Sequence, residues 1–138
     1  MQEAQNTKLV QDVYAAFGRG DIQTLLGHLD NAVVWRPIYG AGKQVPTSGE
    51  WAGRAAVAEF FRVLAEEQTF ESFEPRDFIS QGDKVVVLGH YVGGPKATTK
   101  RFASDWTMVF TVRDGKVVHF QEFCDSAAIN AAWDGASH

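Results

Sequence analysis

The stretch Gly115–Ala127, "GKVVHFQEFCDSA", decides how this chain is read. Its apolar residues predict a strand, because successive side chains of an extended chain point to opposite faces. That alternation sets Val118, Phe120, Glu122 and Cys124 in one row, three apolar side chains with a carboxylate among them. "SAAINAAW" then reads as a short closing helix with Ser126 as its cap. Just upstream, "RDG" is a turn signal, so "RFASDWTMVFTV" is expected to run antiparallel to "GKVVHFQEFCD". Taken as a three-residue turn with a glycine bulge, it puts Trp106 and Met108 on the face of Phe120 and Glu122. A two-residue turn would flip that register.

Further upstream, "TFESFEPRDFIS" and "DKVVVLGHYVG" are two more strands, and the links "QGD" and "GGPKATTK" make antiparallel neighbours of all four. The first part of the chain is helical. Leu9, Val10, Val13, Tyr14 and Phe17 recur at helical spacing. "GRGD" ends that helix and offers Asp21 as the N-cap of a second, whose stripe is Ile22, Leu25, Leu26 and Leu29. "AVVWRP" is a short strand closed by Pro37, and the glycine-rich segment from Ile38 to Gly53 is a long loop of the kind that often carries function. Val57, Phe60, Phe61 and Leu64 mark a third helix. Helices followed by a meander of strands predict an α+β domain, a strongly curved sheet wrapped around helices. With no repeat or linker, residues 1–138 are expected to form one domain.

Composition narrows the function. Hydrophobic residues make up 45% of the 138, as in an ordinary globular protein. A net charge of −4 gives no basic footprint for nucleic acid. No apolar run reaches membrane-spanning length, "MQEAQNTK" lacks a signal-peptide pattern, and the single cysteine excludes an internal disulfide. A cytoplasmic protein is therefore expected. His28, His90, His119 and His138 show no close-spaced pair, and Cys124 stands alone, so no metal site is expected. No glycine-rich cradle joins a strand to a helix, and no cofactor is expected. Four Trp and ten Phe are available to fill a core or line an apolar pocket.

The pieces "VYAAFGRGD", "VVWRP", "WAGRAAVAEFF", "WTMVFTVRDGKV" and "FQEFCDSAA", in that order, resemble the nuclear transport factor 2-like superfamily in its SnoaL-like, ketosteroid isomerase-related branch. The resemblance implies a cone: a curved antiparallel sheet around N-terminal helices, a cystatin-like α+β barrel enclosing a pocket. It also implies pairing of two copies through the outer face of the sheet. That face is expected to be apolar, with Val109 on it. Superfamily members include ketosteroid isomerase, scytalone dehydratase, limonene epoxide hydrolase, polyketide cyclases and non-enzymatic modules, so the fold leaves function open.

Glu122 falls where the epoxide hydrolase has a catalytic carboxylate, and both alternation and resemblance aim it inward. Desolvation would raise its pKa toward the range of a general acid or base. The alternative is a structural Glu, paired with a buried Arg or lying at a wet edge. Arg36 falls where ketosteroid isomerase has its catalytic Asp. An arginine cannot serve as that base, so it is read either as an anion-binding partner of the site or as one half of an internal salt bridge. Tyr14 lies beside the position of the isomerase's oxyanion-hole tyrosine, and is core, pocket wall or donor. Tyr91 stands where the epoxide hydrolase has its second acid, with Gly89 in place of an Arg, which argues against that reaction. Trp106, Met108, Phe120, Phe17 and Trp51 are expected to wall the pocket, Trp51 at its mouth. His90 is expected to face away from Tyr91, and Asp105 and Asp125 away from Glu122. Two functions follow: a cofactor-independent isomerase, cyclase or dehydratase that moves a proton on a small apolar or polyketide-like molecule, or a non-catalytic binding or dimerisation module.

Overall fold

The computed structural model describes residues 2–134; His138 lies outside them. Three helices come first, α1 (Gln2–Gly18), α2 (Ile22–Gly27) and α3 (Arg54–Glu67), interleaved with strands β1 (Leu29–Arg36) and β2 (Trp51–Ala52). Four long strands follow, β3 (Gln68–Gln81), β4 (Lys84–Pro95), β5 (Phe102–Arg113) and β6 (Lys116–Cys124), and then α4 (Ser126–Trp133). They form one six-stranded sheet in the order β2-β1-β6-β5-β4-β3. The α+β class and the curved sheet agree with expectation. The sheet is not closed, and one pair is parallel, β1 on β6. No described helix is long and apolar enough to cross a membrane.

Local chemistry explains most element ends. The Asp21 carboxylate accepts from the Thr24 amide at 3.2 Å and so caps α2. That helix stops at Gly27, one turn earlier than the apolar stripe suggested, and Leu29 opens β1 instead, fully buried. Asp125, not Ser126, caps α4, accepting from the Ala128 amide at 3.0 Å. β2 is a two-residue strand inside what the glycines marked as loop; it pairs with Val34 and Trp35.

The β5–β6 hairpin sets the inward row. Its turn has two residues, Asp114 and Gly115, both left-handed (φ 52° and 74°), between the paired Arg113 and Lys116. By itself such a turn would reverse the expected register. The ladder shifts by one residue farther along: Thr111 pairs with His119 but Val112 with Val117, so Val118 bulges out unpaired. The bulge restores the phase. Phe110 then faces Phe120, Met108 faces Glu122 and Trp106 faces Cys124. Val117, not Val118, is the buried valine of the row.

Two more irregularities in β3, at Phe70/Ser72 and Pro75/Asp77, bend the sheet's edge. Pro75 is tolerated there because β3 has a neighbour on only one side. The concave face buries Val85, Val87, Phe110 and Val117 against Val10, Val13 and Ala16 of α1 and Val57 of α3. Tyr14 of α1 packs its ring on Trp106 (centroids 6.0 Å apart) and edge-on against Phe110 (5.7 Å). α4 closes an end of the core, with Trp133 stacked on Phe102 at 6.1 Å.

Candidate functional site

A cavity of about 70 Å³ lies between the concave sheet and the helices. A buried water needs roughly 10–15 Å³ of such space, so the cavity holds several waters or part of a small ring compound. Its wall is mostly aromatic, with Phe17, Phe60, Phe61, Phe73, Phe110 and Phe120 among the lining residues. Glu122 is the one acidic side chain on that wall.

Glu122 reaches the cavity because β6 places it next to Met108, two residues past Phe120 on the same face. Its carboxylate is buried and both oxygens are engaged. Tyr91 donates its hydroxyl to Oε2 at 2.6 Å, reaching across β5 from β4. The backbone amide of Ile38 donates to Oε1 at 3.2 Å. Ile38 holds a left-handed conformation (φ 49°), costly for a β-branched residue. The next amide, Tyr39, donates to the Glu122 carbonyl at 3.1 Å. The start of the 38–50 loop is thus fastened to Glu122 twice.

Electrostatics in this pocket is a contest between burial and hydrogen bonds. Desolvation raises the Glu122 pKa, the bonds from Tyr91 and Ile38 lower it, and burial wins, leaving it at about 6. The net rise over the ordinary 4.5 corresponds to about 2 kcal/mol against the ionised form. Tyr91 and Tyr14 are both pushed well above the usual phenol value, by burial first and by the Glu122 charge second. Both stay protonated and act as donors. Burial, then the Glu122 charge, pushes the half-buried Cys124 thiol up to about 12, which leaves it inert.

The expected residues separate into two groups. Glu122, Tyr14, Tyr91, Met108, Phe120 and Phe17 line the cavity together. The Tyr14 hydroxyl donates to the Met108 sulfur at 3.0 Å, a weak acceptor that a ligand oxygen would displace. Arg36 is not at the site. It lies on the other face of β1, and its guanidinium binds Glu50 at 2.8 Å in a partly exposed ion pair. Val33 and Trp35 take the inward positions of that strand, so alternation turns Arg36 out. Trp106 faces inward but lies behind the wall rather than on it, over Gly89, where a Cβ would overlap its indole. The glycine that stands in the place of an Arg in the family comparison is what makes room for that ring. Trp51 does not line the cavity either; it packs edge-on against Phe60 and donates its indole N–H to the Thr47 carbonyl at 3.2 Å.

His90 and Asp105 meet each other on the outer face at 3.0 Å, away from Tyr91 as alternation requires. Among the described residues, no three His, Cys, Asp or Glu side chains gather closely enough to hold a metal ion. Sequence reasoning missed several wall residues, including Trp35, Thr47, Gln68 and Ile129. For Trp35 a signal was present, since Val33 and Trp35 alternate. For Thr47 and the Ile38 amide none was, because an irregular loop and a backbone donor leave no periodic trace.

The sequence model of the SnoaL-like domain matches residues 10–120. The chain is 33% identical to a crystallised NTF2-like protein from Burkholderia xenovorans, covering 94% of this chain and 96% of that one, with a TM-score of 0.85. A similar protein from Burkholderia thailandensis is 28% identical, with 92% and 95% coverage and a TM-score of 0.81. TerC, in a crystal structure obtained with polyporic acid, is 27% identical over 95% and 99% of the two chains, at a TM-score of 0.76. No curated protein matches the chain.

Proposed function

This chain belongs to the SnoaL-like domain family, and from that premise and the site's geometry we propose that it is a cofactor-independent enzyme moving a proton next to a carbonyl. The observation that supports this most is a buried carboxylate on an aromatic cavity wall, with no cation beside it among the described residues and a pKa of about 6. Glu122 takes the proton from the carbon next to the substrate carbonyl. The C–H electron pair becomes a carbon–carbon π bond, and the carbonyl π pair moves onto oxygen to give an enolate. The Tyr14 hydroxyl leaves the Met108 sulfur and donates to that oxygen. Glu122 then delivers the proton to a different carbon of the conjugated enolate, completing an isomerisation; in a dehydration the enolate instead re-forms the carbonyl and expels a β-hydroxyl, which takes the proton from Glu122 and leaves as water. Tyr91 and the Ile38 amide are positioning groups that fix the carboxylate. Arg36 has no part in it. A small aromatic or polyketide-like ketone suits the wall.

Exchange of the hydrogens next to the carbonyl of 2-tetralone in D₂O, followed by NMR, tests this without the natural substrate. The protein should accelerate exchange, and Glu122→Gln should lose about 10²–10⁴-fold of that acceleration. Equal rates for the two proteins would refute it. A second reading, binding without turnover, draws on the fact that both Glu122 oxygens already accept a bond. It predicts bound 2-tetralone and no accelerated exchange.

The protein is further proposed to be a homodimer paired through the convex face of the sheet. Support comes from Ile79, Leu88 and Phe123, which are 54%, 37% and 46% exposed on large side chains. Val86 and Val109 face each other on the same side of the β4–β5 ladder.

A further inference from the structure

The cavity wall carries polar atoms that the chemistry above does not use. Thr47 and Gln68 are 1% and 6% exposed, both line the cavity, and neither the Thr47 hydroxyl nor the Gln68 Oε1 has a hydrogen-bond partner among the described residues. The indole N–H of Trp35, which is 4% exposed and also on the wall, is unpartnered too. Buried polar groups are nearly always satisfied, and one left open marks a place where something else binds. Of seven such side-chain atoms among the described residues, three lie on this one wall. They come from three separate elements: the 38–50 loop, the start of β3 and the end of β1.

We infer that Gln68 and Thr47 are further polar recognition groups of the cavity, binding a hydroxyl of the ligand distinct from the oxygen function that meets Glu122 and Tyr14. The inference rests on the reading of this cavity as a ligand site. The chemistry favours a hydroxyl. Gln68 Oε1 accepts only, so its partner must donate; Trp35 Nε1 donates only, so its partner must accept; the Thr47 hydroxyl does either. A hydroxyl can meet each demand, donating to Gln68 Oε1 or accepting from Trp35 Nε1, whereas a carbonyl only accepts and an ammonium only donates. The ligand class is therefore a ring compound oxygenated at two positions, one of them a phenol or enol. A singly oxygenated ring leaves part of this set without a partner.

The test compares phenol with catechol, resorcinol and hydroquinone, by NMR titration of the wild-type protein, Gln68→Met, Thr47→Val and Glu122→Gln. At least one diol should bind the wild type about tenfold more tightly than phenol, the scale of one net hydrogen bond. In Gln68→Met and in Thr47→Val, that diol should bind no more tightly than phenol binds the same variant. Both variants should melt at or above the wild-type temperature, because each removes a buried polar atom that lacks a partner. Equal binding of phenol and all three diols to the wild type, no diol binding at millimolar concentration, or a diol preference that survives both substitutions would overturn the inference. So would a marked fall in melting temperature, which would give these side chains an internal role. Failure of the proton-transfer reading is separable: Glu122→Gln would then leave exchange of 2-tetralone unchanged while the diol preference remained.

Discussion

Burying a carboxylate away from any cation costs several kcal/mol unless hydrogen bonds replace its water. At Glu122 only two do, from Tyr91 and the Ile38 amide. The remaining deficit raises the carboxyl pKa to about 6, with a measurable consequence for stability. The folded-state pKa of about 6 lies above the ordinary 4.5, so the folded protein holds this proton more tightly than the unfolded chain. The contribution of Glu122 to stability is therefore most favourable below pH 4.5 and is lost as pH rises through about 6. The difference in unfolding free energy between wild type and Glu122→Gln should change by about 2 kcal/mol across that window, in favour of the variant at high pH. Chemical denaturation of both proteins at pH 4 and pH 8 measures it; a pH-independent difference would contradict the buried, unpaired carboxylate. Arg36→Ala provides the contrast. Its ion pair with Glu50 is partly exposed and outside the cavity, so its loss should change stability by less than about 1 kcal/mol and leave exchange of 2-tetralone unaltered.

Among the elements, the β5–β6 hairpin carries the site, and two features that would each misplace it compensate for one another. The two-residue turn at Asp114–Gly115 shifts the phase and the Val118 bulge shifts it back. Alternation in "HFQEF" correctly aimed Phe120 and Glu122 inward, since those residues lie past the bulge. "KVV" offered two equivalent valines and no means of choosing between them, so the buried one was misread. Arg36 shows the opposite case: Val33 and Trp35 alternate legibly, and the family position alone drew Arg36 into the pocket. Tyr91 was legible as a position but not as a donor to Glu122, because that bond spans two strand neighbours and depends on sheet curvature. Behind the hairpin, Gly89 lets the Trp106 indole lie against β4. Gly89→Ala should destabilise the protein by about 1–3 kcal/mol through overpacking, with the loss read from a urea midpoint. An unchanged midpoint would mean that Trp106 does not sit over Gly89.

For the molecule as a whole, one curved sheet does two jobs with its two faces. The concave face holds the cavity and the convex face is left apolar at Ile79, Leu88 and Phe123. Leu88 and Phe123 both flank Thr107 across β5, which makes them near neighbours on that face. Replacing both by lysine should convert a dimer to a monomer in sedimentation at micromolar protein while leaving the far-ultraviolet circular dichroism intact. A wild-type monomer at the same concentration would contradict the proposed pairing. The exposed apolar face would then need another explanation.

The central claim is that Glu122 is a buried carboxyl without a cationic partner, poised to exchange a proton near neutral pH. A carbon-13 NMR titration of its side-chain carboxyl tests that most directly. The account predicts a midpoint near 6 that Arg36→Ala does not move. A midpoint at or below 4.5, or one that rises when Arg36 is removed, would contradict it.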